Sequence, residues 1–320
     1  MHEVIITAAD VGRRLDKFLL AYLNSAPRSL IHKLLRKKRI KLNGKRAVGS
    51  ELLAAGDAIA FHLSQDTINS CRAVVQAETP NVKHSPDPAF EIVYEDECLL
   101  IINKPAGIPS HGGMKGKSAH LLAQALDYLQ QSGAYSHSDS FTPALCNRLD
   151  VNTSGLVVCG KNYQAIRAVN ALFATENGVG KEYLAVVDGQ LHGAATLHGF
   201  YRKDTVNNTA QVTSDANGVA VVTAYKSLAV TGTHSLIAVN PITGRSHQIR
   251  AHLAAVGHPL AGDRKYGGKP MPYAKAQLLH CRQLTLQKHE RLPYTESMTW
   301  TADLPGNFKQ CIADWFGIAM

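Results

Sequence analysis

The 320-residue sequence predicts an α+β fold in two units. A small α+β domain comes first, and a larger domain with a mixed, mainly antiparallel sheet follows. Three observations predict it. Strand patterns outnumber helical ones and several are hairpin-linked, basic charge is packed into the N-terminal end, and a polar, proline-bearing stretch separates the two regions. The expected boundaries are residues 1–64 for the first unit, 65–87 for a linker and 88–320 for the second.

In the first unit, Leu15, Phe18, Leu19, Tyr22 and Leu23 recur at i, i+3, i+4, i+7 and i+8, one face of an amphipathic helix. Ser25 is placed to cap a second helix with Pro27 in its first turn, and Leu30, Ile31, Leu34 and Leu35 form its buried stripe. Arg28, His32 and Arg36 recur every fourth residue on another side, joined by Lys33 and Lys37. Arg39 follows in an alternating run that enters a tight turn at Asn43-Gly44, and residues 56–61 read as a closing strand. Residues 1–63 hold 12 Lys+Arg against 5 Asp+Glu, a balance of +7, whereas the rest of the chain holds 22 and 20, a balance of +2. Such clustering is the footprint of polyanion binding, and makes Arg28, His32, Lys33, Arg36, Lys37 and Arg39 candidate contacts. The plainer alternative is a solvated surface helix, and charge alone does not separate RNA from DNA or anionic lipid.

From about residue 64 to 88, Asn, Ser, Gln, Thr and Pro dominate, as in a tether that lets two modules grip one polymer at two points. Beyond it, runs at 90–94 and 99–103 bracket Glu95-Asp96-Glu97 in a hairpin pattern. A helix is expected around 119–129, a buried strand at 156–159, and a helix over 162–173 with Ile166, Val169, Leu172 and Phe173 inward. Further strands are expected at 182–187, 218–229, 234–240 and 278–286.

Several classes of protein are disfavoured. The six cysteines are scattered with no Cys-x-x-Cys pair, and His247 and His252 lack the His-Glu-x-x-His arrangement, so no metal is expected. There is no phosphate loop and no Gly-x-Gly-x-x-Gly opening a helix, so no nucleotide cofactor is expected either. No apolar run approaches the roughly 18 residues of a membrane span and the start lacks signal-peptide character, which predicts a soluble cytoplasmic protein. A hydrolase using Ser154 or Ser246 would lack the Gly-x-Ser-x-Gly elbow and leave the basic module idle.

The chemistry points to Asp150, in the run Asn147-Arg148-Leu149-Asp150-Val151-Asn152-Thr153-Ser154-Gly155 just before a buried strand. A carboxylate at a strand's mouth faces a cleft, and Arg148, two residues away in extended chain, points to the same side. A plain turn aspartate is the competing interpretation. Arg14-Leu15-Asp16 repeats the tripeptide within a helix, with Asp16 expected on the polar face, so the tripeptide alone is uninformative. Downstream, Tyr183 lies in a strand, and Thr243-Gly244 turns the chain into a helix start bearing Arg245, His247, Arg250 and His252. Donors near a helix N-terminus suit phosphate or carboxylate.

On these residues the first unit resembles the S4 RNA-binding domain. Most of the chain closely resembles the RluA family of pseudouridine synthases whose members carry that domain. The resemblance rests on Arg-Leu-Asp-x-x-Thr-Ser-Gly-Leu at 148–156, Lys-x-Tyr-x-Ala at 181–185 and Gly-Arg-Ser-His-Gln-Ile-Arg-x-His at 244–252. It rests also on Gly-His-Pro-Leu-x-Gly-Asp at 257–263 and Leu-Leu-His-Cys at 278–281. The resemblance implies a pseudouridine synthase core in which Asp150 attacks the uridine nucleotide. Tyr183 would stack on the base and is a candidate for proton abstraction, Arg250 would pair with the carboxylate, and Arg148 would enter the space left by the flipped nucleotide. It also implies a cofactor-free monomer acting on structured RNA, ribosomal RNA of the large subunit rather than transfer RNA, with neither DNA nor membrane as partner. A non-catalytic RNA-binding or ribosome-assembly protein on the same fold is the alternative; binding alone does not require Asp150, Tyr183 and Arg250 together. Asn147 departs from the family's usual His before Arg-Leu-Asp, which bears on the hydrogen bonds around Arg148.

Overall fold

A computed structural model describes residues 2–72, 90–112, 120–136, 141–205 and 207–319. The first unit runs β1 (His2–Ile5), α1 (Leu15–Tyr22), α2 (Arg28–Arg36), β2 (Ile40–Leu42), β3 (Lys45–Arg46), β4 (Ala58–Phe61) and α3 (Gln65–Cys71). Its strands form an antiparallel sheet in the order β1-β4-β2-β3. The β2–β3 hairpin turns at Asn43 and Gly44, whose φ values of 49° and 73° are the left-handed pair that a two-residue hairpin with the natural strand twist requires. Leu15, Phe18 and Leu19 of the first helix, with Leu23 just after it, share one core with Ile31, Leu34 and Leu35 of the second.

Three expectations are corrected here. Pro27, not Ser25, takes the N-cap position of α2, because the helix begins only at Arg28, and no side chain caps it. Asp16 does not sit on a polar face: it is buried and accepts from Arg14 Nε and Nη2 at 3.1 and 3.0 Å. Residues 65–71, taken as the start of a linker, form α3, capped by Ser64 Oγ accepting from the Thr67 N–H, with Ile68 and Cys71 in the first unit's core. The remainder of that stretch, residues 73–87, lies outside the described residues, as does the expected first residue of the 119–129 helix. The Arg13 guanidinium lies 5.8 Å from the centre of the Tyr163 ring, so the two units touch directly.

The second unit runs β5 (Glu91–Glu95), β6 (Leu99–Lys104), α4 (Leu121–Gln131), β7 (Ala144–Leu145), β8 (Ser154–Gly160), α5 (Tyr163–Ala174) and β9 (Val179–Asp188). It continues with β10 (Ala194–Asp204), β11 (Thr209–Thr213), β12 (Val219–Val230), β13 (His234–Pro241), α6 (Gln248–Ala255), β14 (Leu279–Leu286), β15 (Met298–Thr301) and α7 (Gly306–Phe316). One sheet follows the path β11-β10-β12-β13-β9-β14-β8-β6-β5, with β15 on β14 and β7 on β8. All its pairings are antiparallel except β14 with β8, so the sheet is mixed and mainly antiparallel. The hairpin, the 162–173 helix and the four later strands stand where the periodicity predicts them, within a few residues. In α5 the fully buried positions are Ala165, Ala168, Val169 and Leu172, while Ile166 and Phe173 are only half-buried.

The parallel join of β8 and β14 positions the site. A Cβ on Gly155 would lie 2.2 Å from the Cys281 carbonyl oxygen, and its φ is +110°, so only glycine lets the two strands close here. Beside it, Ser154 Oγ and His280 Nδ1 lie 2.9 Å apart, both groups buried. Burial pushes the His280 pKa down to about 4. Above the ordinary histidine value near 6.5 neither folded nor unfolded chain is charged here. Between 6.5 and about 4 only the unfolded chain takes up the proton. Stability from this residue is therefore complete at neutral pH and falls by about 1.4 kcal/mol per pH unit across that window, about 3 kcal/mol in all. Urea midpoints measured from pH 8 to pH 4 should fall more steeply for the wild type than for His280→Asn.

Candidate active site

Asp150 lies on the turn that leads into β8, and that turn is held from several sides. Thr153 N–H donates to the Asp150 carbonyl at 3.1 Å. Ser110 Oγ accepts from Leu149 N–H at 3.1 Å and donates to the Leu149 carbonyl at 2.8 Å. Lys104, fully buried, donates to the carbonyls of Pro105, Ile108 and Val151. Burial lowers the Lys104 pKa to about 8, against the opposing pull of Asp150. Asn147 explains its own departure from the usual histidine. Its Oδ1 accepts from Val158 N–H at 2.8 Å and its Nδ2 donates to the Leu156 carbonyl at 3.2 Å. An amide supplies both a donor and an acceptor there, as a paired strand would.

Arg250 meets this turn from α6. Its Nη1 donates to Asp150 Oδ2 at 3.0 Å, while Nε and Nη2 donate to Asp263 Oδ2 and Oδ1 at 2.7 and 2.8 Å. Asp263 thus locks the guanidinium plane with a bidentate fork, and the remaining nitrogen faces Asp150. Burial works against the Arg250 charge, but the hydrogen bonds and charge of Asp263, then Asp150, outweigh it and hold its pKa above the usual value.

The Gly-Arg-Ser-His-Gln-Ile-Arg-x-His run now has a physical reading. Gln248, buried, accepts from Thr243 Oγ1 and Arg245 N–H and donates to the Val222 carbonyl and Thr223 Oγ1, satisfying its whole amide. That pins the start of α6 to β12. Ile249 enters the core and Arg250 reaches the carboxylates. His252 is buried against Thr223 Oγ1 at 3.0 Å, away from any ligand-binding role. Of the donors expected at the helix start, His247 does face a carboxylate. With φ at 57° it stands just before α6, its Nε2 3.7 Å from Asp150 Oδ2. Tyr266 OH accepts from Ala210 N–H at 2.8 Å and lies 2.9 Å from His247 Nδ1. A phenol already accepting from Ala210 N–H can donate to Nδ1, and the tautomer that receives it carries its own proton on Nε2, toward Asp150. Burial keeps His247 neutral by lowering its pKa, with Asp150 opposing and Arg250 and Lys265 assisting. His247→Asn, which tolerates the left-handed backbone, should cost roughly tenfold in turnover, equivalent to about 1–1.5 kcal/mol of lost hydrogen bonding. Steady-state assays against the wild type check this, and unchanged turnover would remove His247 from the site.

Tyr183 sits on β9, buried against the Cys281 thiol. Burial raises its pKa well above the usual tyrosine value, with Cys281 and then Asp150 adding to it, so the ring stays a neutral phenol. Arg148 is exposed at the rim, near enough to His111 for its charge to help lower that histidine after burial. The structure thus brings Arg250 and His247 to Asp150, with Tyr183 buried close enough to feel the Asp150 charge and Arg148 exposed two residues before it. Arg28, His32, Lys33, Arg36, Lys37 and Arg39 are elsewhere, all exposed on α2 and the turn after it. No salt bridge among the described residues compensates any of these six. Asp263, Tyr266, Gln248 and Lys104 were not foreseen as site residues. For Asp263 and Gln248 the signal was their place in long motifs; Lys104 gave none beyond its Lys-Pro pair.

No group of three or more potential metal ligands occurs among the described residues, and no helix among them is long and apolar enough to cross a membrane.

Comparison with known proteins agrees with this layout. A family model described as RNA pseudouridylate synthase matches residues 98–255, and the S4 domain model matches residues 13–59. A ribosomal large subunit pseudouridine synthase C of Rickettsia bellii is 32% identical, covering 96% of this chain and 99% of its own. The protein of that name from Escherichia coli is 31% identical over 83% of this chain and 80% of its own. The solved human RNA pseudouridylate synthase domain containing 4 superposes with a TM-score of 0.54 at 26% identity, over 69% of this chain and 91% of its own. Fold and motifs together define a pseudouridine synthase, an isomerase acting on RNA. More narrowly, the chain belongs to the RluA-type pseudouridine synthases that carry an N-terminal S4 domain.

Proposed function

We propose that this enzyme converts uridine to pseudouridine in large-subunit ribosomal RNA, with Asp150 as the attacking carboxylate. The observation that carries the assignment is the Asp150–Arg250–Asp263 chain, in which a buried, locked guanidinium offers one nitrogen to one accessible carboxylate. The reaction breaks the N1–C1′ bond of uridine, turns the base, and joins C1′ to C5, from which a proton leaves. The base must leave its stack for this, so it enters the cleft as a flipped nucleotide. Arg250 keeps Asp150 ionised and aimed in a site partly shielded from water. Tyr183, a neutral phenol, offers a flat face for the base, a contact worth roughly 1–3 kcal/mol. Arg148, exposed at the rim, fills the space that the base vacates and stacks or contacts phosphate there. The first unit holds structured RNA through Arg28, His32, Lys33, Arg36, Lys37 and Arg39, and ribosomal RNA is the substrate named for the bacterial relatives. The enzyme acts, on this proposal, as a monomer in the cytoplasm. We place the boundary between the units after α3.

Ribosomal RNA carrying tritium at uridine C5 tests this. The enzyme should release tritium to water in proportion to pseudouridine formed; RNA bound without release would overturn the reading.

A further inference from the structure

Beside the catalytic turn, a cavity of about 460 Å³ opens between that turn, the chain at 271–277 and the start of α7. Val151, between Asp150 and Asn152, is 45% exposed. The cavity lining is mixed: Met271, Pro272 and Phe308 are apolar, while Asn152, Ser154, Tyr273, Lys275, Gln277 and Asn307 bring polar groups, the Asn307 amide donating to the Tyr273 carbonyl at 3.2 Å. Gln277 is the unusual one. It is only 5% exposed, yet its amide makes one long contact among the described residues, a 3.5 Å donation from Nε2 to Thr153 Oγ1, and its Oε1 is not sealed from solvent. Buried amides are normally satisfied, as Gln248 is by four partners. Gln277 lines the cavity with hydrogen-bonding capacity to spare, which a ligand there can use.

We propose that this cavity is a second base pocket, holding the base of a nucleotide that flanks the target uridine on the same RNA strand. The inference rests on the function proposed above. The cavity falls in the size range of sites that enclose small organic groups, roughly 300–1,000 Å³. Its charge favours a neutral buried group over a phosphate, because the one cation among the described lining residues is Lys275, exposed at the surface. Side-chain amides instead match the donor and acceptor edges of a base splayed from its stack, while apolar walls match its faces. Asn152 stands two residues beyond Asp150, at most about 7 Å along the chain, so a strand crossing Val151 reaches both places within a nucleotide or so. Lys275 is set to meet the phosphate that stays outside. Two bases seated beside one turn would fix the register of the RNA, so that only a uridine with the right neighbour reaches Asp150.

Full-length protein bound to bacterial large-subunit ribosomal RNA substituted with 4-thiouridine, irradiated and mapped by mass spectrometry, tests the pocket. Crosslinks should fall on residues 271–277 as well as on α2, and should disappear from 271–277 in Asn307→Trp, which plugs the mouth from an exposed position on α7. In tritium-release assays, Asn307→Trp and Gln277→Leu should raise KM for the RNA about tenfold, with kcat changing far less. Crosslinks confined to α2 and the Asp150 cleft, or an unchanged KM in Asn307→Trp, would overturn the pocket while leaving the uridine isomerase standing. A wild-type protein that releases no tritium from any ribosomal RNA would instead remove the functional reading, and the pocket with it.

Discussion

Asp150→Ala should lose pseudouridine formation by about 10⁴-fold or more, because the group that attacks the nucleotide is gone and no neighbour replaces it. Arg250, at 3.0 Å, is a cation and cannot attack, and the imidazole of His247, at 3.7 Å, is held by Tyr266. The fold should not suffer. The Asp150 side chain is 22% exposed, and Arg250 keeps its fork to Asp263 when Asp150 is removed. Urea midpoints should therefore stay within about 1 kcal/mol of the wild type. RNA binding should persist as well, since the exposed basic face of α2 is untouched. A variant that still releases tritium at more than a few per cent of the wild-type rate would remove Asp150 from its assigned role.

Arg250→Met should damage both stability and turnover, and a second substitution separates the two. The Asp263 carboxylate has only 2% side-chain exposure, and without Arg250 its charge loses the partner on both oxygens. Stranding a buried charge in this way costs about 3–5 kcal/mol. Replacing Asp263 as well, in Arg250→Met with Asp263→Leu, should restore most of the denaturation midpoint, because a buried ion pair and a packed apolar pair are often close in stability. Turnover should not return. Asp150 would have lost the nitrogen at 3.0 Å that aims it, and misplacement of a reacting group by about 1 Å alone costs about 100-fold. Urea denaturation and tritium release on the same three proteins check both halves. Recovery of turnover along with stability would show that Arg250 acts only as a fold element.

Much of this was legible from residue order, and the exceptions share a physical cause. The hairpin at β5–β6 and the inward faces of α1, α2 and α5 follow apolar periodicity, a local property. Strand β10 does not announce itself because it is mostly exposed, with Tyr201 its single fully buried position, so no alternation marks it. Pairing with β12 and β11 on both sides makes it a strand. Asp16 was misjudged because Gly49 packs over it from another part of the chain, which no helical wheel contains. In the site, Asp150, Tyr183 and Arg250 are identifiable by motif, yet their convergence depends on β8, β9 and β14 lying side by side. The role of Asp263 depends on a loop after α6 turning back to Arg250, and that of Tyr266 on its contacts with both His247 and the distant Ala210 N–H. Contacts of this kind follow from tertiary closure rather than from spacing.

The central claim is that a uridine in large-subunit ribosomal RNA becomes pseudouridine through Asp150. Pseudouridine mapping in ribosomal RNA from cells lacking the protein tests it most directly. At least one large-subunit site should be uridine in those cells, return to pseudouridine when the wild-type chain is supplied, and stay uridine when Asp150→Ala is supplied. A full set of pseudouridines without the protein, or restoration by the Asp150→Ala chain, would contradict the account.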